Sequence, residues 1–190
     1  PALPSAPREV RVDSRAPSQV TLRWSAPATA ASAVTGYRVQ VATASGSWRT
    51  VAERAGRQAT VRQLNPGTRY RFRVQPRTAS GWVATYGTTT VTTRARPSAP
   101  RSLRATQRAA RALTVRWDAP STSAAHVQDY QVQRWRPGRG WVTVRTPVTT
   151  SRSARVTGLA PGTAHKVRVR AKSGTVWGPW RSGTVRTTRR

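Results

Sequence analysis

Two stretches decide the fold: "LNPGTRYRFRV", from Leu64 to Val74, and "LAPGTAHKVRV", from Leu159 to Val169. Each places a Pro-Gly turn ahead of a run that alternates in period two. Tyr70, Phe72 and Val74 alternate with Arg71 and Arg73, and His165, Val167, Val169 and Ala171 alternate with Lys166, Arg168, Arg170 and Lys172. Successive side chains on a strand point to opposite faces, so each run predicts a strand with one apolar face and one cationic face. Arg77 falls on the cationic face too, with Pro76 a candidate break in the strand before it.

The two stretches belong to a longer duplication. "PSAPREVRV" from Pro4 and "PSAPRSLRA" from Pro97 stand at an offset of 93, as do Trp24 and Trp117, Tyr37 and Tyr130, and Trp48 and Trp141. Leu64 and Leu159 stand at an offset of 95, so two residues were inserted between. Other short alternating runs, such as Val20-Leu22-Trp24 and Tyr37-Val39-Val41, are punctuated by Pro, Gly and Ser, and no window keeps a helical period. Short strands at regular spacing in a unit of this size predict a two-sheet β-sandwich.

Each repeat resembles a fibronectin type III domain, and the resemblance covers almost the whole chain. It is carried by the opening Pro runs, by Trp24 and Trp117 on the second strand, by Tyr37 and Tyr130 on the third, and by the Leu-x-Pro-Gly-Thr turns. It implies an all-β chain of two consecutive immunoglobulin-like, seven-stranded sandwiches, residues 1–95 and 96–190. It also implies a tyrosine corner at Tyr70, where an aromatic ties its strand to the preceding loop. His165 takes that place in the second repeat and predicts an altered, weaker corner. The connector "TTRARPSAP" from Thr92 to Pro100 is short and Pro-containing, which predicts a semi-rigid rod.

Composition narrows the function. The chain carries 34 Lys plus Arg against five Asp plus Glu, a net charge of +29. Only Lys166 and Lys172 are lysines. Codon bias in a GC-rich genome accounts for Arg in place of Lys, but not for the scarcity of acids. Such a charge attracts polyanions, within a Debye length of ~8 Å at physiological salt. There is no cysteine, hence no disulfide framework, and no apolar run of the ~18 residues a membrane span needs. The chain opens on Pro1 rather than Met, as a processed secreted protein or a trimmed piece of a longer chain would; the expected location is extracellular or at the cell surface.

Chemistry is thinly represented. The titratable inventory is Glu9, Asp13, Glu53, Asp118, Asp129, His126 and His165, with no His-x-His, no Glu-x-x-His and no paired carboxylates on one strand face. No catalytic residue, metal site or cofactor is expected. The glycines lie in turns, not in a phosphate-cradling loop ahead of a helix.

The cations remain. Arg38, Arg71, Arg73, Arg77, Lys166, Arg168, Arg170 and Lys172 are the candidates for binding a polyanion or partner, on a face that Gln40, Gln131 and Gln133 share. Alternate residues repeat every ~6.6 Å along a strand, close to the charge spacing of an extended phosphodiester chain. Against this stands a structural reading. Trp177-Gly178-Pro179-Trp180 resembles the Trp-Ser-x-Trp-Ser box of cytokine-receptor fibronectin domains, in which arginines interleave with tryptophans as a ladder, although both serines are missing. Trp180 is then placed for Arg168 or Arg170, Lys166 and Lys172 stay freer at the ends, and Trp82, with no second Trp, gives the first repeat at most half a ladder. Trp48, Trp135 and Trp141 lie near hairpin turns, where they either contact a ligand or cover the sandwich edge.

Three functions fit: a non-catalytic extracellular binding or spacer module adhering to an anionic surface polymer or another protein; a self-assembling subunit or decoration of a cell-surface filament or virion appendage; and a sequence-nonspecific nucleic-acid binder. The charge alone suits the last, but no recognition helix or ribonucleoprotein motif accompanies it. The fold by itself does not choose among them.

Overall fold

A computed structural model of the chain describes residues 2–144 and 148–190. The chain divides into two compact units, Pro1–Arg94 and Ala95–Arg190. In the first unit the strands are β1 (Arg8–Arg15), β2 (Val20–Ser25), β3 (Gly36–Thr43), β4 (Arg49–Arg54), β5 (Gln58–Val61), β6 (Arg69–Thr78), β7 (Gly81–Trp82) and β8 (Gly87–Thr92). The second unit repeats the order with β9 (Arg101–Thr106), β10 (Ala112–Asp118), β11 (Asp129–Arg136), β12 (Gly140–Thr143), β13 (Ser153–Thr157), β14 (Ala164–Ser173), β15 (Val176–Trp177) and β16 (Arg181–Arg186). Among the described residues, all pairings between these strands are antiparallel.

Each unit is a sandwich of a three-stranded and a five-stranded sheet. The smaller sheets run β1-β2-β5 and β13-β10-β9; the larger run β4-β3-β6-β7 and β12-β11-β14-β15, with β8 and β16 also pairing β6 and β14. Seven full strands are thus joined by a two-residue strand, because the last strand of each sandwich is split. In the second unit the break falls at Gly178-Pro179-Trp180, between β15 and β16. Proline has no N–H to continue a ladder. Gly178 is held by its N–H to the Ala171 carbonyl at 2.8 Å, and any Cβ there would collide with the Pro97 carbonyl oxygen.

The cores follow from the alternation. Val20, Leu22, Val39, Phe72 and Val74 are wholly buried in the first unit, as are Val115, Val156, Val167, Val169 and Ala171 in the second. Trp24 meets Tyr37 edge-on at 5.5 Å between ring centroids, and Trp117 meets Tyr130 at 5.4 Å. Burying a Val, Leu or aromatic side chain stabilises by ~1.5–3 kcal/mol each, and such residues, with a few alanines, make up the two cores. The Pro-Gly turns supply Gly67 and Gly162 at φ 63° and 61°, a left-handed conformation that glycine adopts without a Cβ clash.

Pro76 does not end its strand. β6 runs through it to Thr78, with Tyr37 opposite Pro76. The neighbour on the other side is interrupted there, between the Val74–Gly87 and Arg77–Trp82 pairs. The missing N–H therefore faces a gap, and the Pro76 carbonyl is still used, accepting from the Val83 N–H at 3.0 Å.

The corners diverge as their side chains require. The Tyr70 hydroxyl accepts a bond from the Asn65 N–H at 2.9 Å. His165 Nε2 instead lies 3.1 Å from the carbonyl of Ala160, the matching residue, and 2.8 Å from Thr163 Oγ1. An imidazole is shorter than a phenol, so it closes on the loop's carbonyl rather than its amide.

Candidate functional site

The outward face of each larger sheet carries cations interleaved with rings. In the second unit, register places Gln131 opposite Arg170 and Gln133 opposite Arg168. Arg168 stacks on Trp141 and Trp180, its guanidinium carbon 4.2 and 4.3 Å from the centroids. Arg170 stacks on Trp180 and Trp177 at 4.4 and 4.5 Å. Lys172 extends the series, its Nζ 5.3 Å from Trp177, and Trp135 closes the other end, edge-on to Trp141 at 5.6 Å. Trp135 and Trp141 meet because they are a cross-strand pair of the β11–β12 hairpin.

A row of amides clamps this stack from below. Arg168 donates from Nε and Nη2 to Gln133 Oε1 at 2.8 and 2.6 Å, and Arg170 donates from Nε to Gln131 Oε1 at 2.9 Å. Gln133 Nε2 in turn donates to Thr143 Oγ1 at 3.2 Å. Desolvation lowers the pKa of both arginines, and for Arg170 the charge of Arg168 adds to it. Both remain cationic at any ordinary pH, since a guanidinium gives up its proton only in strong alkali.

The first unit holds a comparable but divided stack. Arg73 lies 4.5 Å from Trp48 and 4.4 Å from Tyr86, and donates to Gln40 Oε1 at 2.7 Å. Arg71 adds a contact to Trp48 at 5.3 Å. Separately, Arg38 and Arg77 meet Trp82 at 4.0 and 5.4 Å, with Arg38 also bound to Glu53 at 2.8 Å. Gln75 stands between the two groups, where Arg170 stands in the second unit; it is buried and donates to the Val83 carbonyl at 3.0 Å.

Two expectations from the sequence need correction here. The first repeat exceeds half a ladder because Tyr86 occupies the place of Trp180: each immediately precedes the residue paired with the equivalent position of the central strand, Gly87 with Val74 and Arg181 with Val169. Lys172 is not free at its end of the strip but sits over Trp177. Lys166 is exposed and meets no ring among the described residues. Tyr86 could have been found by counting back from the strand after it, where Val91 matches Val185 at an offset of 94, rather than by searching for a second Trp.

Among the described residues there are four ion pairs, engaging Arg11, Arg23, Arg38 and Arg104. No group of three His, Cys, Asp or Glu among them is placed to hold a metal, and no helix is long and apolar enough to cross a membrane.

This geometry has a family. The family model of the Fibronectin type III domain matches residues 5–93 and 98–187. Among curated proteins, the chain is 30% identical to Tyrosine-protein phosphatase Lar of Drosophila melanogaster over 89% of its own length, and 33% identical to Protein sidekick-1 of Mus musculus over 80%. It spans only 8% and 7% of those two proteins. Chitinase A1 of Niallia circulans is 30% identical over 89% of the chain and 23% of its own length. Among solved structures, a two-domain segment of chicken tenascin superposes with a TM-score of 0.47 at 20% identity, covering 95% of this chain and 99% of that one. The two matched regions take in nearly the whole sequence, and the chain belongs to the fibronectin type III family, with two of its domains in tandem.

Proposed function

We propose that the chain is a non-catalytic binding and spacer segment of an extracellular or cell-surface protein, and that it adheres to an anionic polymer. The observation that carries this reading is uncompensated charge: 34 cationic side chains, five acids, and four ion pairs among the described residues. Charge of one sign spread over a β-scaffold raises the local concentration of polyanions and speeds their capture. The stacked faces support the spacer half of the reading, because guanidiniums fixed by rings and amides stiffen a sheet from outside.

The test is a binding titration of the chain against an anionic and a neutral polysaccharide across a salt series. The reading expects binding to the anionic polymer alone, with log affinity falling linearly in log salt. Salt-independent binding to the neutral glycan would contradict it.

A further inference from the structure

A second set of arginines lies on the opposite face of each sandwich from the ladders, on the solvent side of the three-stranded sheets. There Arg11, Arg23 and Arg57 line an open cleft of about 390 Å³ in the first unit, and Arg104, Arg116 and Arg152 line one of about 290 Å³ in the second. The trios are equivalent. Arg11 matches Arg104 and Arg23 matches Arg116 at the offset of 93, and Arg57 matches Arg152 at 95. The same bond anchors the third member in each, the Trp24 N–H to the Arg57 carbonyl and the Trp117 N–H to the Arg152 carbonyl, both at 3.1 Å.

Comparing the repeats separates these arginines from the rest. On the larger sheets Arg38, Arg49 and Arg69 correspond to Gln131, Val142 and Ala164, while the cations that do recur, Arg71, Arg73 and Arg77 as Lys166, Arg168 and Lys172, are all over rings except Lys166. On the smaller sheets Arg8, Arg11, Arg15, Arg23 and Arg57 recur as arginine, whereas Arg155 of β13 corresponds to Thr60. Two of these positions have an internal explanation, since Arg8 and Arg101 each donate Nε to a loop carbonyl, of Ala26 and Ala119, and Arg15 reaches the Thr92 carbonyl. The cleft trio has no such constant partner. Its ion pairs are Arg11 with Glu9 at 3.9 Å, Arg23 with Asp13 at 3.3 Å and Arg104 with Asp118 at 3.5 Å. Glu9 and Asp13 correspond to Ser102 and Thr106, and Asp118 to Ser25, so the cations persist while their acids do not.

The register makes the cost visible. Arg11 lies directly opposite Arg23, and Arg104 opposite Arg116. Like charges at facing positions destabilise a sheet. Each pair sits beside a bulge with a left-handed residue, Glu9 at φ 50° and Ser102 at φ 52°, a device that re-aims strand side chains. All six trio arginines are exposed, and no hydrogen bond or ion pair among the described residues engages the guanidiniums of Arg57, Arg116 or Arg152. An anion held among three such forks relieves the repulsion and takes paired N–H donors.

The occupant is read from what the face lacks. Trp24 and Trp117 line the clefts but are buried, and the other aromatic side chains lie in the cores, in the ladders or at Trp135, so no exposed ring is offered on this face to stack a base. Single-stranded nucleic-acid binders depend on such rings. We propose that the two arginine clefts are phosphate sites for a linear phosphodiester polymer without aromatic bases, of the polyol-phosphate kind. The proposal rests on the polyanion reading above and locates it on the smaller sheets.

The test compares two variants of equal charge. One carries R11Q, R23Q, R57Q, R104Q, R116Q and R152Q; the other removes six exposed arginines elsewhere, R49Q, R69Q, R96Q, R139Q, R181Q and R190Q. Each is titrated with a synthetic glycerol-phosphate oligomer, with dextran sulfate and with an oligodeoxynucleotide of matched charge. For the glycerol-phosphate oligomer, the cleft variant is expected to lose roughly 100-fold in affinity at ~50 mM salt and to flatten the salt slope by about 4, against less than ~5-fold and about 1 for the control. Its melting temperature should stay within a few degrees of the parent's, since the facing like charges go together with three exposed ion pairs of small worth, so a loss of binding is not a loss of fold. Equal losses in both variants would overturn the cleft assignment and leave the polyanion reading standing. Tenfold tighter binding of the oligonucleotide or of dextran sulfate would overturn the base-free phosphodiester. Failure of the parent chain to bind any of the three would overturn both.

Discussion

Replacing Arg168 with Ala removes one rung of the second unit's stack and reports whether the ladder is structural. The guanidinium contributes two ring contacts, at 4.2 and 4.3 Å, and two bonds to Gln133 Oε1. At ~0.5–1 kcal/mol per exposed cation–π contact and about 1 kcal/mol net for the amide pairing, the loss is about 2–3 kcal/mol. For a domain of this size that lowers the melting temperature by roughly 10–20 °C. The assay is calorimetry of the two-domain chain, in which the second unit's transition should move and the first's should stay. Pairing the change with Trp180→Ala in a double-mutant cycle should return a coupling of ~0.5–1 kcal/mol, because the two side chains share one contact. A loss under ~0.5 kcal/mol with no coupling would refute the ladder as a stabilising device. Arg168→Lys refines the result: it keeps the charge but lacks the planar fork, so it should recover less than half of the loss.

Other positions yield sharper single tests. Gly178→Ala drives a Cβ into the Pro97 carbonyl and should cost ~2–4 kcal/mol by urea denaturation, whereas Gly56→Ala, with nothing near its Cβ, should be neutral. Tyr70→Phe deletes the acceptor for the Asn65 N–H and should destabilise the first unit by ~1–2 kcal/mol in the same assay. The Asp118 carboxyl is held below its ordinary value, first by a hydrogen bond from Ser102 and then by the Arg104 charge. Ser102→Ala should therefore raise it in an NMR pH titration. A carboxylate with a depressed pKa contributes stability above its unfolded pKa and loses it as pH falls through the folded one, so that variant should also flatten the acid limb.

The strands were legible because burial imposes period two, and Phe72, Val74, Val167 and Val169 declare it locally. The corner and Pro-Gly turns were legible because few residues accept those backbone geometries. Other features depended on contacts distant in sequence. Pro76 reads as a breaker until its neighbour's interruption, set by the β7–β8 gap, is known. The facing pair Arg11–Arg23 was hidden because register across a bulge is not written in either strand alone. The strip from Lys166 to Lys172 is conspicuous along the chain because its spacing is local. Two of its arginines turned out to spend their flat faces on tryptophan.

The placement of that strip has a consequence for resistance to proteolysis. Trypsin-like proteases need their substrate arginine in a free extended segment, and this chain offers them many. β14 is bonded on one side to β11 and on the other to β16, and β6 likewise to β3 and β8. A central strand with both edges occupied cannot be drawn into a protease cleft until its sheet opens, and opening costs the ladder as well. The richest run of cleavage sites is thereby among the last to be cut, and digestion should begin instead at the loops.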